Sequence, residues 1–396
     1  MQSAAAYAHS IDDLARLAKK ALPRAVFDFY AGGAEDERSL RRNEIAFEEI
    51  TLGPRVLVDV SAVDTSAMLL GARANLPLMI APMGAVGFGE RNGDVQLARA
   101  AKAAGIPYVL STMATASMER IATEAGGRLW FQIYPLKNEA FRSQLVRRAH
   151  EAGYEALLVT VDVPVGGKRE RDLRNDFAMP FKYTMRNVLD FASHPFWAMD
   201  MLMRGVPKME NLAGLAPVSD DNARQVASVG REFDPSFDWE GLKKLRDSWQ
   251  GKLIVKGILA VDDAVRVAAM GCDGLVVSNH GGRQLDNGMA SLDALPSIAA
   301  AVGHQVEVLF DGGVRRGSDI AKALALGAAG VLIGRAALYG VCAGAEAGAA
   351  RAIEILRDEL IRTSQLCGIT NISNFNQHTL DNRGRTAASE VLRDRY

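Results

Sequence analysis

Short apolar runs rich in branched residues recur along this chain, and most follow an alanine-rich helical pattern that stops at a glycine. The segments "AKAAGIPYVLST", "HEAGYEALLVTVD", "AAMGCDGLVVSNHGG" and "LALGAAGVLIGR" are four copies of this unit. In each, the glycine (Gly105, Gly153, Gly271 or Gly327) suits the residue that ends a helix in the left-handed conformation. With the remaining candidates the buried strands number eight, in order "PLMIAP", "YVLST", "WFQIY", "ALLVTVD", "KLIVKG", "GLVVSNHG", "EVLFDGG" and "GVLIGR". Runs that are apolar almost throughout imply parallel strands covered on both faces. Eight of them alternating with helices predict an α/β fold, a (β/α)8 TIM barrel, ahead of a doubly wound sheet. Such a barrel uses residues 1–396 as one domain, with a long insertion after strand 4 at about 178–235.

Charge narrows the partners. Lysine and arginine total 46 against 47 acidic residues, which leaves no global attraction for nucleic acid. Cys272, Cys342 and Cys367 lack metal-ligand spacing and cannot all pair, so they read as packing residues of a reducing compartment, and no metal site is expected. The amphipathic start "MQSAAAYAHSIDDLARLAKK" lacks the plan of a secretory signal. No run reaches the roughly 18 apolar residues of a membrane span.

In a barrel the reactive groups gather at the C-terminal strand ends. Read in strand order, those ends carry Gly84, Ser111 with Thr112, Gln132 with Tyr134, Thr160 with Asp162, Lys256, Ser278 with His280 and Arg283, Asp311 with Arg315, and Gly334 with Arg335. The last two loops, "DGGVRRGSD" and "IGRAALYG", combine glycines, arginines and helix starts, which suits a phosphate. Lys256 after "LIV" can form a Schiff base, act as a base, or supply a fixed positive charge to a cofactor. His280 offers a base of intrinsic pKa roughly 6.5, and Asp162 can stabilise its protonated form. With Arg283 three residues on as a carboxylate anchor, the stretch "SNHGGRQLD" suggests proton abstraction from an acid substrate.

These motifs, together with "LPRAVFDFYAGGAED", "RERDLRNDF" and "FDGGVRRGSDIAKALALGA", resemble the FMN-dependent 2-hydroxy acid oxidases and dehydrogenases over nearly the whole chain. The resemblance implies that His280 is the base, that Arg283 holds the substrate carboxylate with Arg169 nearby, and that Tyr134 bonds the substrate hydroxyl. It implies that Asp162 supports the imidazolium and that Lys256 lies at the N1 edge of the flavin. Ser111, Gln132, Thr160 and Ser278 would bond the ring edge, with Met83 and Gly84 against its face. Asp311, Gly313, Arg315, Gly334 and Arg335 would hold ribityl and phosphate. Two positions depart from the family pattern. Phe29 stands where a tyrosine is usual, and Met113 where glycolate oxidase carries an aromatic; both lean the pocket towards a bulkier, more apolar substrate.

The insertion contains "KYTMRNVLDFASHPFWAMDMLMRGVPKM", apolar residues bracketed by Lys182, Arg186, Arg204 and Lys208. That composition suits a segment lying on a membrane surface, with an active-site lid or an oligomer contact as the alternative, and the region resembles the membrane-binding loop of mandelate dehydrogenase. The expected activity is FMN-dependent oxidation of an (S)-2-hydroxy acid, mandelate-like or lactate-like, with electrons passed to a quinone-type acceptor. A hydrogen-peroxide-forming oxidase is the alternative. The expected setting is a cytoplasmic homo-oligomer, a tetramer, peripheral on the inner face of the cell membrane.

Overall fold

The computed structural model describes residues 2–176, 184–214 and 232–381. Eight parallel strands close into a barrel: β1 Leu78–Ile80, β2 Tyr108–Ser111, β3 Leu129–Ile133, β4 Ala156–Thr160, β5 Lys252–Ile258, β6 Gly274–Val277, β7 Glu307–Asp311 and β8 Gly330–Ile333. Spatial order follows chain order, and pairing of Val331 with Leu78 joins β8 to β1. All eight runs expected from the sequence are these strands. The four helix-ending glycines take positive φ, from 67° to 103°.

Side chains alternate along a strand, so every second residue enters the barrel. One inward layer is Met79, Val109, Trp130, Leu158, Ile254, Val276, Leu309 and Leu332, which pack together in the sealed interior. Two residues further along each strand the layer becomes Ala81, Ser111, Gln132, Thr160, Lys256, Ser278, Asp311 and Gly334. The floor of the upper mouth is therefore polar because chemistry changes by one layer on six of eight strands. The lower end is plugged. A hairpin, Ala67–Leu69 with Ala72–Ala74, contributes Leu69 and Ala74 to the interior cluster. Glu307 accepts from the Leu70 amide at 2.8 Å, and Arg128 donates to the Leu69 carbonyl at 2.9 Å, which fixes the plug.

Two excursions shape the mouth. The helix Arg24–Ala31 ends at Gly32, and the chain then crosses the barrel, with the Ala34 amide on the Gly282 carbonyl at 2.9 Å and the Glu35 amide on the Lys168 carbonyl at 2.8 Å. Phe29 reaches the mouth this way. In the insertion, residues 178–183 and 215–231, including Lys182 of the expected membrane segment, lie outside the described residues. The described part contains the helices Met185–Ala192 and Pro195–Arg204. Trp197 Nε1 donates to the Phe88 carbonyl at 2.7 Å, and Arg91 Nε donates to Asp200 at 2.6 Å, which clamps the second helix to the loop after β1.

The ladder between β5 and β6 shifts register between Lys256 and Ile258. Gly257 occupies that bulge at φ 106°, and a Cβ there would lie 2.6 Å from the Asp162 Cβ. The absence of a side chain lets Asp162 approach Lys256. Gly257→Ala adds backbone strain and a clash, each worth about 1–3 kcal/mol. It is expected to lower the urea unfolding midpoint by an amount corresponding to about 2–6 kcal/mol at unchanged m-value.

Candidate active site

Above the polar floor is a cavity of about 650 Å³ that admits Lys256, Tyr134, His280, Arg283 and Arg169 to a common space. The floor is bonded side to side. Ser111 Oγ donates to Gln132 Oε1 at 3.0 Å, and Gln132 Nε2 donates to Thr160 Oγ1 at 3.0 Å. Lys256 Nζ donates to Ser278 Oγ at 2.7 Å and pairs with Asp311 at 3.0 Å. Burial alone would lower the Lys256 pKa, but Asp311 and Asp162 outweigh it and raise the group above its ordinary value. Lys256 is thus a fixed cation. The Schiff-base and free-base readings of it do not suit this setting.

His280 lies one inward step beyond Ser278, in a left-handed backbone at φ 58°. That is an uncommon conformation for a residue with a side chain, and such strain collects at functional sites. Its Nδ1 lies 2.9 Å from Asp162 Oδ1, so a proton between them leaves Nε2 as the free base. Burial would raise the Asp162 carboxyl, yet the charges of His280 and Lys256 hold it below its ordinary value. Tyr134 stacks beside His280 with ring centroids 6.5 Å apart. Burial, reinforced by the Asp162 charge, pushes its hydroxyl well above the ordinary phenol value, so it remains a donor.

Arg283 is held from behind. Its Nη1 donates to the carbonyls of Phe29 at 2.8 Å and Gly32 at 2.9 Å, leaving its other nitrogens for a ligand. Burial, with Arg169 and Arg335 close by, lowers its pKa to about 9. An arginine keeps its proton at neutral pH, so this shift marks a site short of an anion. The Phe29 ring lies between two cations, 5.3 Å from the Arg283 guanidinium carbon and 5.5 Å from that of Arg169. Arg169 is itself tied to Asp172 at 2.7 Å.

The residues suit a flavin nucleotide. Asp311 Oδ1 is buried with no partner among the described residues, an acceptor ready for a hydroxyl. A Cβ on Gly84 would meet the Met113 Cβ at 2.8 Å, so Gly84 leaves the chain as a thin flank to the cavity. A Cβ on Gly334 would make only an ordinary contact, with the Ala81 Cβ at 3.8 Å. Gly334 precedes the helix Arg335–Leu366, whose first amides have no partner within the helix and suit a phosphate. Gly313, Arg315 and Met83 line the same cavity.

The arginines expected at the phosphate line the cavity and are bonded to the protein's own groups. Arg335 donates to the carbonyls of Tyr30, Gly32 and Gly281 at 3.1, 2.8 and 3.0 Å, and Arg315 pairs with Glu44 at 2.8 Å. The cavity also has walls that no motif announced: Val163, Met209 and Phe233. The last two belong to the return of the insertion. Trp197, which composition groups with the apolar tip, is instead a buried anchor. Cys272, Cys342 and Cys367 are buried and free.

Comparison with known proteins agrees with this geometry. The (S)-mandelate dehydrogenase of Pseudomonas putida is 42% identical over 382 residues, 96% of each chain. The L-lactate dehydrogenase of Caulobacter vibrioides is 41% identical over 375 residues, 94% of this chain and 98% of the relative. The crystal structure of monotopic membrane protein (S)-mandelate dehydrogenase superposes with a TM-score of 0.91, 42% identity, and coverage of 95% of this chain and 100% of that one. That of a mandelate oxidase gives 0.80 at 38% identity, covering 94% and 98%. Residues 18–382 match the FMN-dependent dehydrogenase family, and with a buried lysine, a carboxylate-backed histidine and an open arginine in one barrel mouth, the chain belongs to that family.

Proposed function

We propose that this protein is an FMN-dependent dehydrogenase that oxidises an (S)-2-hydroxy acid, mandelate-like or lactate-like, to the 2-oxo acid. The observation that carries the reading is the His280–Asp162 pair at 2.9 Å, in the same cavity as the half-free guanidinium of Arg283. Arg283 takes the substrate carboxylate, with Arg169 adding positive potential. Tyr134 donates to the substrate hydroxyl oxygen and so orients it. His280 Nε2 removes a proton, and Asp162 stabilises the imidazolium that results. FMN, when bound, would accept the two electrons together with the second hydrogen that the substrate loses. Ser111, Gln132, Thr160 and Ser278 would hold its ring edge, with Met83 and Gly84 on its flank. Asp311, Gly313, Gly334 and the Arg335 amide would hold the chain that ends in phosphate, with Arg315 in reach of it. Lys256 supplies the positive charge that favours electron density on the bound ring.

Phe29 offers no hydroxyl, so the carboxylate rests on the arginines, and the ring adds an apolar face between them. For delivery of electrons we propose a quinone-type acceptor and a peripheral position on the inner face of the cell membrane, with the protein acting as a homo-oligomer. No helix among the described residues is long and apolar enough to cross a membrane. The helix Pro195–Arg204 leaves Phe196, Leu202 and Met203 exposed by 80%, 86% and 75% while Trp197 anchors its other side. A helix docked on one face and apolar on the other suits the lipid interface.

His280→Ala is expected to keep FMN but slow its anaerobic reduction by a hydroxy acid by about two to four orders of magnitude; near-normal reduction would rule out His280 as the base. Lys256→Met strands two buried carboxylates, and it is expected to lower the FMN content after gel filtration, with full retention counting against the assignment. Each of the three exposed tip residues gains about 1.5–3 kcal/mol on full burial in an apolar medium. The intact protein should therefore sediment with anionic phospholipid vesicles, and a Phe196→Ser, Leu202→Ser, Met203→Ser variant should remain in the supernatant with its flavin still reduced by substrate. Equal sedimentation of the two proteins would refute the membrane reading.

A further inference from the structure

The cavity has a polar side built from strand ends and an apolar side built from Met113, Val163, Met209 and Phe233. Phe233 is fixed by backbone pairing. The Asp234 amide donates to the Pro135 carbonyl at 2.9 Å, and the Lys137 amide donates to the Glu232 carbonyl at 2.9 Å, on either side of a bridge between Leu136 and Phe233. This short ladder begins immediately after Tyr134. It lays the Phe233 ring against Tyr134, with centroids 4.7 Å apart and planes inclined by 40°. The two rings and the His280 imidazole form a row, since Tyr134 also stacks 6.5 Å from His280.

The substrate carbon carries four substituents, and the polar side accounts for two of them. Arg283 takes the carboxylate, while Tyr134 and His280 take the hydroxyl. The side chain is left to the apolar wall. Aromatic rings favour tilted or offset packing at such distances, and thioethers pack well at ring edges. Resting on the activity proposed above, we infer that Phe233 is a specificity-determining residue whose ring receives a planar aryl side chain of the substrate, with Met113 and Met209 completing that wall. A methyl side chain is too short to use this surface. The insertion therefore helps to select the substrate as well as carrying the exposed tip.

The test uses the FMN-loaded full-length protein. Phe233→Leu keeps an apolar side chain but removes the ring; Phe233→Tyr keeps the ring. In anaerobic flavin reduction, Phe233→Leu should lower kcat/KM for (S)-mandelate about tenfold more than for (S)-lactate, and Phe233→Tyr should preserve the wild-type ratio. The dissociation constants of phenylglyoxylate and pyruvate, read from flavin difference spectra, should shift in the same proportion. Equal losses for the aryl and methyl ligands would make Phe233 a mere support for Tyr134 and overturn the inference, as would an unchanged ratio. A wild-type flavin reduced by neither acid would defeat the proposed activity instead, and the two oxo-acid affinities would still decide the role of Phe233.

Discussion

The Lys256 ammonium is the constraint around which the barrel mouth is arranged. It is buried on a strand whose other inward residues are apolar, and an unpaired charge there would cost several kcal/mol. Asp311 at 3.0 Å, the charge of Asp162 and the Ser278 hydroxyl at 2.7 Å together offset that cost. The consequence is a fixed triad of one positive and two negative groups. His280 joins the same cluster through its 2.9 Å contact with Asp162, so the arrangement that keeps Lys256 charged also holds the imidazole in place. Gly257 is part of this arrangement, because the bulge it makes is what admits Asp162 to the cluster.

Much of the site was legible because it obeys the period of a strand. Ser111, Gln132, Thr160, Lys256, Ser278 and Asp311 each stand two positions beyond an inward apolar residue, and Met113, Tyr134, Asp162, His280 and Gly313 stand two beyond those. Polar residues at such positions end an apolar run, which a reader of sequence can see. Phe233 and Met209 were not legible, since their places depend on pairing with residues near 135 and on long loops, and no local pattern encodes that. Arg335 shows the opposite limit. Its motif announces a phosphate, but the guanidinium bonds carbonyls of the crossing segment near Gly32 and holds that segment to the mouth.

The insertion joins two tasks that composition alone would separate. Its middle exposes Phe196, Leu202 and Met203, while its return supplies Met209 and Phe233 to the cavity. Glu210 accepts from the Ser117 amide at 2.8 Å and Asn211 from the Met118 amide at 2.9 Å, so this return is bonded to the loop that carries Met113. Met209 and the exposed helix thus lie on one segment that is bonded to the rest of the protein at Glu210 and Asn211.

The hairpin that plugs the lower end of the barrel has a kinetic consequence. With Leu69 and Ala74 sealing that end, the described residues leave the cavity open towards the upper mouth, the side from which acid and acceptor approach the cofactor. On the proposed chemistry the oxo acid has to leave before an electron acceptor can approach. Steady-state rates measured with varied acid and acceptor would then obey double-displacement kinetics, with parallel reciprocal plots, and each substrate at high concentration would inhibit by occupying the form of the enzyme meant for the other.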